Sequence, residues 1–147
     1  MNAKQIESYV EKGYWLKKSY GDLVGEWAAQ YGDKTAIRDG DDSMTYRQLA
    51  VYADRLAAAF LKKGIRRGDR VILQMCNTQM IAPAYFGLFR IGAVVIPVYP
   101  ALRETEISAL AKEAEAVAYI CTEEYLDFSY AELVEMQRLE DERKERE

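Results

Sequence analysis

The sequence predicts an α/β fold in which a parallel β-sheet is flanked by helices. Three short apolar runs occur in order, over residues 71–75 (VILQM), 93–98 (AVVIPV) and 116–121 (AVAYIC). Helical patterns separate these runs over residues 78–91 and 104–114. Strands that alternate with helices at this spacing are typical of right-handed βαβ crossovers, which build parallel sheets.

The segment before these strands predicts a helix and a β-hairpin. Apolar residues recur at helical spacing over residues 21–31, and Gly32 follows where a helix would end. Two β-prone pieces, at residues 35–38 and 43–46, flank a turn-rich DGDD at residues 39–42. We expect this turn to be solvated, because three acidic residues and a glycine fall short of a calcium-binding loop.

The next two helices carry recognisable boundary signals. Thr45 and Gln48 have the spacing of a capping box, and apolar residues then share one helical face as far as Gly64. Pro83 falls inside the helical pattern at residues 78–91, past its expected first turn. A proline there removes a backbone donor, so it should bend or delay this helix.

Composition excludes several classes of function. The chain has 147 residues, enough for one domain, with 50% hydrophobic and 30% charged residues and a net charge of −4. Its short arginine cluster at residues 66–70 is interrupted by Gly68-Asp69, so we expect no nucleic-acid binding. Apolar runs stay well short of the roughly 18 residues that suggest a membrane span. The amino terminus lacks the apolar stretch of a secretory signal, and we expect a cytoplasmic protein without membrane contact.

Cysteine and histidine usage also limits the chemistry. Cys76 and Cys121 lie at the ends of two apolar runs, without CxxC pairing, and the chain contains no histidine. We therefore expect buried thiols rather than a disulfide or a metal site. The lack of histidine excludes a histidine-based nucleophilic triad or general base within these 147 residues.

A dinucleotide-binding domain would share the predicted layout of strands and helices. After the run at residues 71–75, however, the text reads CNTQM. It lacks the GxGxxG glycines that allow a pyrophosphate to approach a helix amino terminus. The sequence therefore does not favour this alternative.

Two longer stretches resemble a known enzyme family. Residues 33–49 read DKTAIRDGDDSMTYRQL, and residues 64–77 read GIRRGDRVILQMCN. In this order and at this distance, they are similar to the opening of the adenylate-forming (AMP-binding) ligases, which activate carboxylic acids with ATP.

Four further motifs resemble the aryl-acid adenylating enzymes of the 2,3-dihydroxybenzoate–AMP ligase type, which act in siderophore biosynthesis. They are GYW at residues 13–15, GLFRIGA at 87–93, AEAVAYI at 114–120 and FSYAEL at 128–133. PALRETEI at residues 100–107 is also close to acyl-CoA ligases, which stay as an alternative.

The resemblance implies an amino-terminal portion of a ligase domain over residues 1–133, followed by a charged helical tail over residues 134–147. In that family, ATP binds a Ser/Thr/Gly-rich loop that ends in Pro-Lys, Mg²⁺ accompanies the ATP, and a lysine near the carboxyl terminus supports adenylation. An aryl carrier protein then accepts the acyl group. This chain contains none of these segments, so we assign no catalytic, cofactor-binding or metal-binding residue. We expect no cofactor for the chain alone, and the remainder of the ligase as its partner.

Scaffolding roles remain for the prominent residues. Asp69 is expected to shape the turn into the first central strand, while Gly64 and Gly92 end helices. We expect four aromatic residues to pack in the core rather than to form an aryl-acid pocket: Tyr46, Phe60, Phe86 and Phe89. Three others are predicted, from their positions after strands, to reach other parts of the enzyme: Tyr85, Tyr99 and Arg103.

Two hypotheses for function follow from the sequence. The first is an incomplete ligase that is inactive alone. The second is a non-enzymatic docking module, or half of a split enzyme. In both cases we expect an exposed apolar sheet face and an unpaired sheet edge, since few helices are available to cover apolar strands.

Overall fold

A computed structural model describes residues 2–125 and 128–129 of the chain. The predicted tail over residues 134–147 and the boundary at residue 133 lie outside the described residues. Within them, helices and strands follow one another in this order: α1 (Ala3–Glu11), α2 (Tyr20–Tyr31), β1 (Thr35–Asp39), β2 (Asp42–Thr45), α3 (Tyr46–Lys62), β3 (Arg70–Gln74), α4 (Ile81–Arg90), β4 (Val94–Pro97), α5 (Glu104–Glu113), β5 (Ala118–Cys121), β6 (Glu124–Tyr125) and β7 (Phe128–Ser129).

The predicted parallel sheet is confirmed, and β3 is its central strand. The strand order is β4-β3-β5, with Val71 of β3 opposite Val95 of β4 and Ala118 of β5. The chain crosses from β3 to one neighbour and then back over β3 to the other. Since βαβ crossovers are right-handed, this change of direction places α4 and α5 on opposite faces of the sheet.

Both faces of the central strand are covered. Val71 packs with Leu88 of α4 in one core cluster. Ile72 points to the opposite face, where Ile107 of α5 is 1% exposed. Because Val71, Ile72 and Leu73 are at most 2% exposed, the expected exposed apolar face is wrong for β3. Apolar exposure occurs at the sheet edge instead, where Val94 of β4 is 48% exposed.

Helices α2, α3 and α4 form a layer that joins the sheet to the hairpin. A Cβ atom at Gly87 of α4 would lie 3.0 Å from Cβ of Leu56 and 3.1 Å from the carbonyl oxygen of Ala53, both on α3. The absence of a side chain at Gly87 therefore lets the two helices pack in close contact. A second core cluster, which contains Val24 of α2 and Met44 of β2, attaches the hairpin to this layer.

The predicted hairpin is confirmed. β1 and β2 pair antiparallel, with Asp39 opposite Asp42. Gly40 follows Asp39 with a φ of 58°, the left-handed value that tight hairpin turns require at their first central position.

The predicted boundary signals of α3 are also confirmed. The Thr45 hydroxyl oxygen accepts a hydrogen bond from the Gln48 amide at 3.2 Å, and the Gln48 side chain accepts one from the Thr45 amide at 2.8 Å. Gly64 follows the end of α3 with a φ of 95°. Asp69 shapes the following turn, because its carboxylate accepts the Arg66 amide hydrogen at 2.7 Å.

Two elements differ from the prediction. Helix α4 begins at Ile81 rather than near residue 78, so Pro83 is its third residue. The predicted delay is confirmed, but the position past the first turn is wrong, because Pro83 lies in the first turn, where backbone N–H groups have no helical partner. Helix α1 was not predicted. None of its residues is buried, and an Asn2–Gln5 capping box marks its start.

None of the helices in the described ranges is long and apolar enough to cross a membrane.

Candidate functional site

The edge of the sheet at which the parallel strands end, hereafter the carboxyl edge, is the candidate site. β3 is followed there by Met75, Cys76 and Asn77, β4 by Val98 and Tyr99. In open α/β sheets, ligands and partners bind beyond the carboxyl ends of strands, next to the point where the order of strands reverses. Here the order reverses at β3, because β4 and β5 lie on its two sides.

A cavity of about 310 Å³ opens at this edge. This volume is at the lower end of the range for small-molecule pockets, about 300–1,000 Å³. The loops after β3 and β4 and the first turn of α4 provide its walls. We call it the carboxyl-edge cavity, and it is lined by Met75, Cys76, Asn77, Ile81, Tyr99, Pro100 and Ala101.

The wall after β4 is attached to the sheet by a buried amide. Gln74, the last residue of β3, is 1% exposed. Its Nε2 group donates hydrogen bonds to the carbonyl oxygens of Tyr99 and Leu102, each at 2.9 Å. The Gln74 Oε1 atom accepts a hydrogen bond from the Tyr119 hydroxyl of β5. All polar groups of this buried side chain are thereby paired, as burial requires.

The wall after β3 is attached to the hairpin. The carboxylate of Asp39, at the end of β1, accepts the amide hydrogen of Gln79 at 2.9 Å. Helix α4 has no side-chain cap of its own, since Met80 occupies its N-cap position. The Asp39 carboxylate therefore accepts a hydrogen bond from a backbone amide just before α4, although Asp39 lies far from that helix along the chain. A negative charge at the amino end of a helix also interacts favourably with the helix dipole.

Both cysteines lie near the carboxyl edge as free, half-buried thiols. Cys76 Sγ lies 3.7 Å from the hydroxyl oxygen of Thr122, which follows β5. Burial raises the pKa of the Cys121 thiol, and a hydrogen bond with Tyr119 offsets part of this effect. A thiol with a raised pKa stays protonated at neutral pH and is a poor nucleophile.

The carboxyl-edge cavity is suited to binding or packing rather than to acid–base chemistry. Its lining contains a thiol, an amide and a phenol, but no carboxylate and no basic side chain. In the part of the chain that the structure describes, no group of three or more His, Cys, Asp or Glu side chains could hold a metal ion.

The structure brings two of the three predicted contact residues to this edge. Tyr99 lines the cavity and is 74% exposed. Arg103 is the N-cap residue of α5, and its guanidinium donates hydrogen bonds to the Pro100 carbonyl at 3.0 Å and to the Leu102 carbonyl at 3.2 Å. Tyr85 does not follow a strand, because it lies within α4 with its ring 5.9 Å from that of Phe89. Burial raises the pKa of the Tyr85 phenol.

The four aromatic residues predicted to pack lie away from the cavity lining. Phe86 packs against the cluster around Val24, and Phe60 against the cluster around Val71. The Phe89 ring lies 5.7 Å from that of Tyr20, and the Tyr46 ring 5.3 Å from that of Tyr31.

Sequence reasoning missed Gln74 and Asp39, the two residues that attach the cavity walls. A polar residue inside the otherwise apolar run VILQM was the available signal for Gln74. No comparable signal existed for Asp39, because its partner Gln79 is 40 residues away along the chain.

Comparisons with known proteins agree with this architecture. A family model described as AMP-binding enzyme matches residues 24–147. The 2,3-dihydroxybenzoate-AMP ligase of Bacillus subtilis (strain 168) is 42% identical over 127 residues, which cover 86% of this chain and 24% of that protein.

Two solved structures are similar to the described fold. The apo structure of Mycobacterium smegmatis MbtA matches 81% of this chain and 23% of its own, with a TM-score of 0.73 and 36% identity. The Klebsiella oxytoca NpsA N-terminal subdomain in complex with anthranilyl-AMSN matches 71% of this chain and 27% of its own, with a TM-score of 0.68 and 27% identity. The chain thus spans about a quarter of the length of these proteins.

Proposed function

The chain belongs to the AMP-binding enzyme family, and from this premise we propose that it forms the amino-terminal sheet unit of an aryl-acid adenylating ligase of the 2,3-dihydroxybenzoate–AMP ligase type. The observation that carries the proposal is the 42% identity over 127 residues to a ligase with that name. The similar N-terminal subdomain that was solved with anthranilyl-AMSN supports an aromatic acid as the substrate class.

The complete reaction would have two steps. A carboxylate oxygen of the acid attacks the α-phosphorus of ATP, and pyrophosphate leaves. The thiol of a phosphopantetheine group on a carrier protein then attacks the acyl carbon of the adenylate, loses its proton, and releases AMP. Such chemistry depends on positioning and on charge stabilisation around the reacting groups.

The described residues at the carboxyl edge do not fit ATP and Mg²⁺. The loops at the carboxyl edge, residues 75–80 and 98–103, contain no glycine, whereas phosphate-binding loops expose clustered backbone N–H groups. The carboxyl-edge cavity also lacks the carboxylates that Mg²⁺ prefers. We therefore assign the chain a structural part in the enzyme, with its carboxyl edge directed towards the remainder of the ligase.

In our proposal, residues 1–133 are the amino-terminal portion of the ligase domain, and residues 134–147 are a charged tail. The partners are the remainder of the ligase and an aryl carrier protein. We propose a cytoplasmic location, in accord with two cysteines that are free in the structure.

One sequence feature favours a second acceptor. Residues 100–107 (PALRETEI) also resemble acyl-CoA ligases, in which coenzyme A takes the place of the carrier protein. A thioester assay on the assembled enzyme, with carrier protein and coenzyme A in parallel, distinguishes the two acceptors.

A chimera tests the proposed function. The 147-residue chain replaces the corresponding quarter of the Bacillus subtilis relative, and acid-dependent ATP–pyrophosphate exchange is measured with 2,3-dihydroxybenzoate. Exchange supports the ligase role. A folded, soluble chimera without exchange contradicts it and favours a non-enzymatic docking module.

A further inference from the structure

We propose that Gln74 is a positioning residue whose buried side-chain amide holds the Tyr99–Leu102 turn against the sheet and thereby sets one wall of the carboxyl-edge cavity. This assignment goes beyond the overall role of the chain, because it names the group on which the geometry of the carboxyl edge depends. Its effect on catalysis, though not its effect on the turn, rests on the proposed function.

The turn and its attachment to the sheet use different hydrogen bonds. The Leu102 amide donates to the Tyr99 carbonyl at 3.1 Å, which closes the turn, and Pro100 occupies the position where proline favours such turns. The Leu102 carbonyl also accepts from Arg103 at 3.2 Å. Each carbonyl that Gln74 contacts therefore has a second donor. Without the Gln74 donors, the turn would be held to β3 through the neighbouring Val98 amide, which donates to the Leu73 carbonyl at 3.0 Å, and we expect it to open more often.

Gln74 contacts both ends of this turn. Its two N–H groups reach the carbonyls of Tyr99 and Leu102, three residues apart, and its oxygen accepts from Tyr119. The middle of the same turn, Pro100 and Ala101, lines the cavity together with Tyr99. Since the Tyr99 side chain is 74% exposed, packing of that ring cannot hold the turn in place.

The substitution Gln74→Glu isolates the two donors. A glutamate has nearly the same size and still accepts from Tyr119, but as a carboxylate it donates nothing to the two carbonyls. Burial next to carbonyl oxygens disfavours the charged form, so a protonated carboxyl would restore one donor at low pH. The ionisable groups around it are Tyr119, Cys121 and Arg103.

Amide hydrogen exchange, corrected for intrinsic rates, measures the turn directly in the 147-residue chain. At pH 7 we expect Gln74→Glu to lower the protection of the Leu102 and Arg103 amides, which donate to Tyr99 and Glu106, at least tenfold, with partial recovery at pH 5. Tyr119→Phe, which keeps both donors, should change protection less than threefold. Thr45→Ala, which removes a helix cap elsewhere, controls for a general loss of stability and should leave the turn unchanged.

Two outcomes overturn the assignment. One is that Gln74→Glu lowers the protection of the turn no more than Thr45→Ala does. Gln74→Leu, a variant without a charge or a donor, should lower the protection of the turn at both pH values, and unchanged protection in that variant is the other outcome.

The chimeric ligase adds a catalytic readout. If only a fraction of molecules hold the turn docked, apparent affinity falls by that fraction. Gln74→Glu should therefore raise the KM for the acid at least fivefold with less than a threefold change in kcat, whereas Tyr119→Phe should change either less than twofold. An active chimera that shows no such difference contradicts the catalytic part. An inactive wild-type chimera contradicts the proposed function instead, and hydrogen exchange then decides the role of Gln74.

Discussion

Gly21 of α2 lies directly against the backbone of Arg90 at the end of α4. A Cβ atom at Gly21 would lie 2.9 Å from both the Cα and the N atoms of Arg90, closer than real Cβ atoms approach backbone. Four residues later, a Cβ atom at Gly25 would instead meet the end of the Arg90 side chain, at 3.4 Å. The two helices are thus in backbone contact at Gly21, whereas Gly25 faces the Arg90 side chain.

This contrast predicts opposite effects for two alanine substitutions. Gly21→Ala should destabilise the chain by about 1–3 kcal/mol, because neither backbone can move freely to relieve the overlap. Gly25→Ala is the matched control. It should be neutral or stabilising by up to about 1 kcal/mol, since alanine favours helix and its methyl group would meet the guanidinium at 3.4 Å, an ordinary van der Waals distance. Urea unfolding at low protein concentration measures both, and equal effects would contradict the close helix contact.

A second prediction concerns the cap of α3. Thr45→Ala should cost about 1 kcal/mol of unfolding free energy, the usual size of a lost N-cap. Thr45→Ser keeps the hydroxyl that accepts the Gln48 amide and should be nearly neutral. If denaturant melts show both substitutions equally harmful, the Thr45 methyl group is packing and the capping argument is wrong.

We expect Asp22, near the start of α2, to make a pH-dependent contribution to the free energy of unfolding. Asp22 accepts hydrogen bonds from the Ser19 hydroxyl at 2.7 Å and the Ser19 amide at 3.0 Å. These bonds lower the pKa of Asp22 below its ordinary value of 3.8. A carboxyl group whose pKa is lowered by folding stabilises the folded state above its unfolded pKa, and the contribution is lost as the pH falls through the folded pKa.

The test compares wild type with Asp22→Asn across pH. Asp22→Asn should be less stable at pH 6, and the difference should shrink progressively as the pH falls below 3.8. A difference that is the same at pH 6 and at pH 2.5 would show that Asp22 does not act through its charge.

The edges of the sheet predict self-association of the isolated chain. Among the described residues, β4 and β5 have no further strand beside them. Val94 of β4 is 48% exposed, and Val117 just before β5 is 60% exposed. Unpaired, apolar sheet edges favour association between chains. We expect the chain to bind a hydrophobic dye and to self-associate at moderate concentration, as measured by analytical ultracentrifugation.

Co-expression with the remainder of an aryl-acid ligase should reverse both properties. A sharp, reversible melt from a monomeric and dye-negative sample would instead indicate a self-sufficient module.

Most of the helices, turns and strands that could be predicted have signals within a few residues of the sequence. The Thr45–Gln48 spacing, the turn at Gly40 and the apolar run of β3 are each readable within a few residues, and the structure confirms all three. The start of α4 was misplaced because the helical pattern extends to residue 78, while Pro83 is most compatible with the first turn. Helix α1 was missed although its apolar residues Ile6, Tyr9 and Val10 recur at helical spacing and an Asn2–Gln5 capping box marks its start.

The candidate site was less predictable, because its walls depend on contacts between distant residues. Tyr99 and Arg103 were found from their positions after a strand, a rule that failed for Tyr85, which lies in a helix. The attachment of the turn by Gln74 joins residues 25 and 28 positions apart. Such pairing appears only once the order of the strands is known.

The isolated chain should show no acid-dependent ATP–pyrophosphate exchange. Its loops at the carboxyl edge offer no clustered glycine amides for phosphate, and the lining of the cavity has no charged group. The assay uses several aryl acids with the purified 147-residue chain. Robust exchange that survives controls for contaminating host ligase would mean that the site has been misassigned.

ATP–pyrophosphate exchange by the chimeric ligase decides whether this chain can serve as the amino-terminal sheet unit of an aryl-acid ligase. We expect exchange that requires 2,3-dihydroxybenzoate or a related hydroxybenzoate, and none from the Bacillus subtilis ligase that lacks its amino-terminal quarter. A chimera that is folded and soluble, as judged by circular dichroism, yet shows no exchange with any aryl acid would rule out this role.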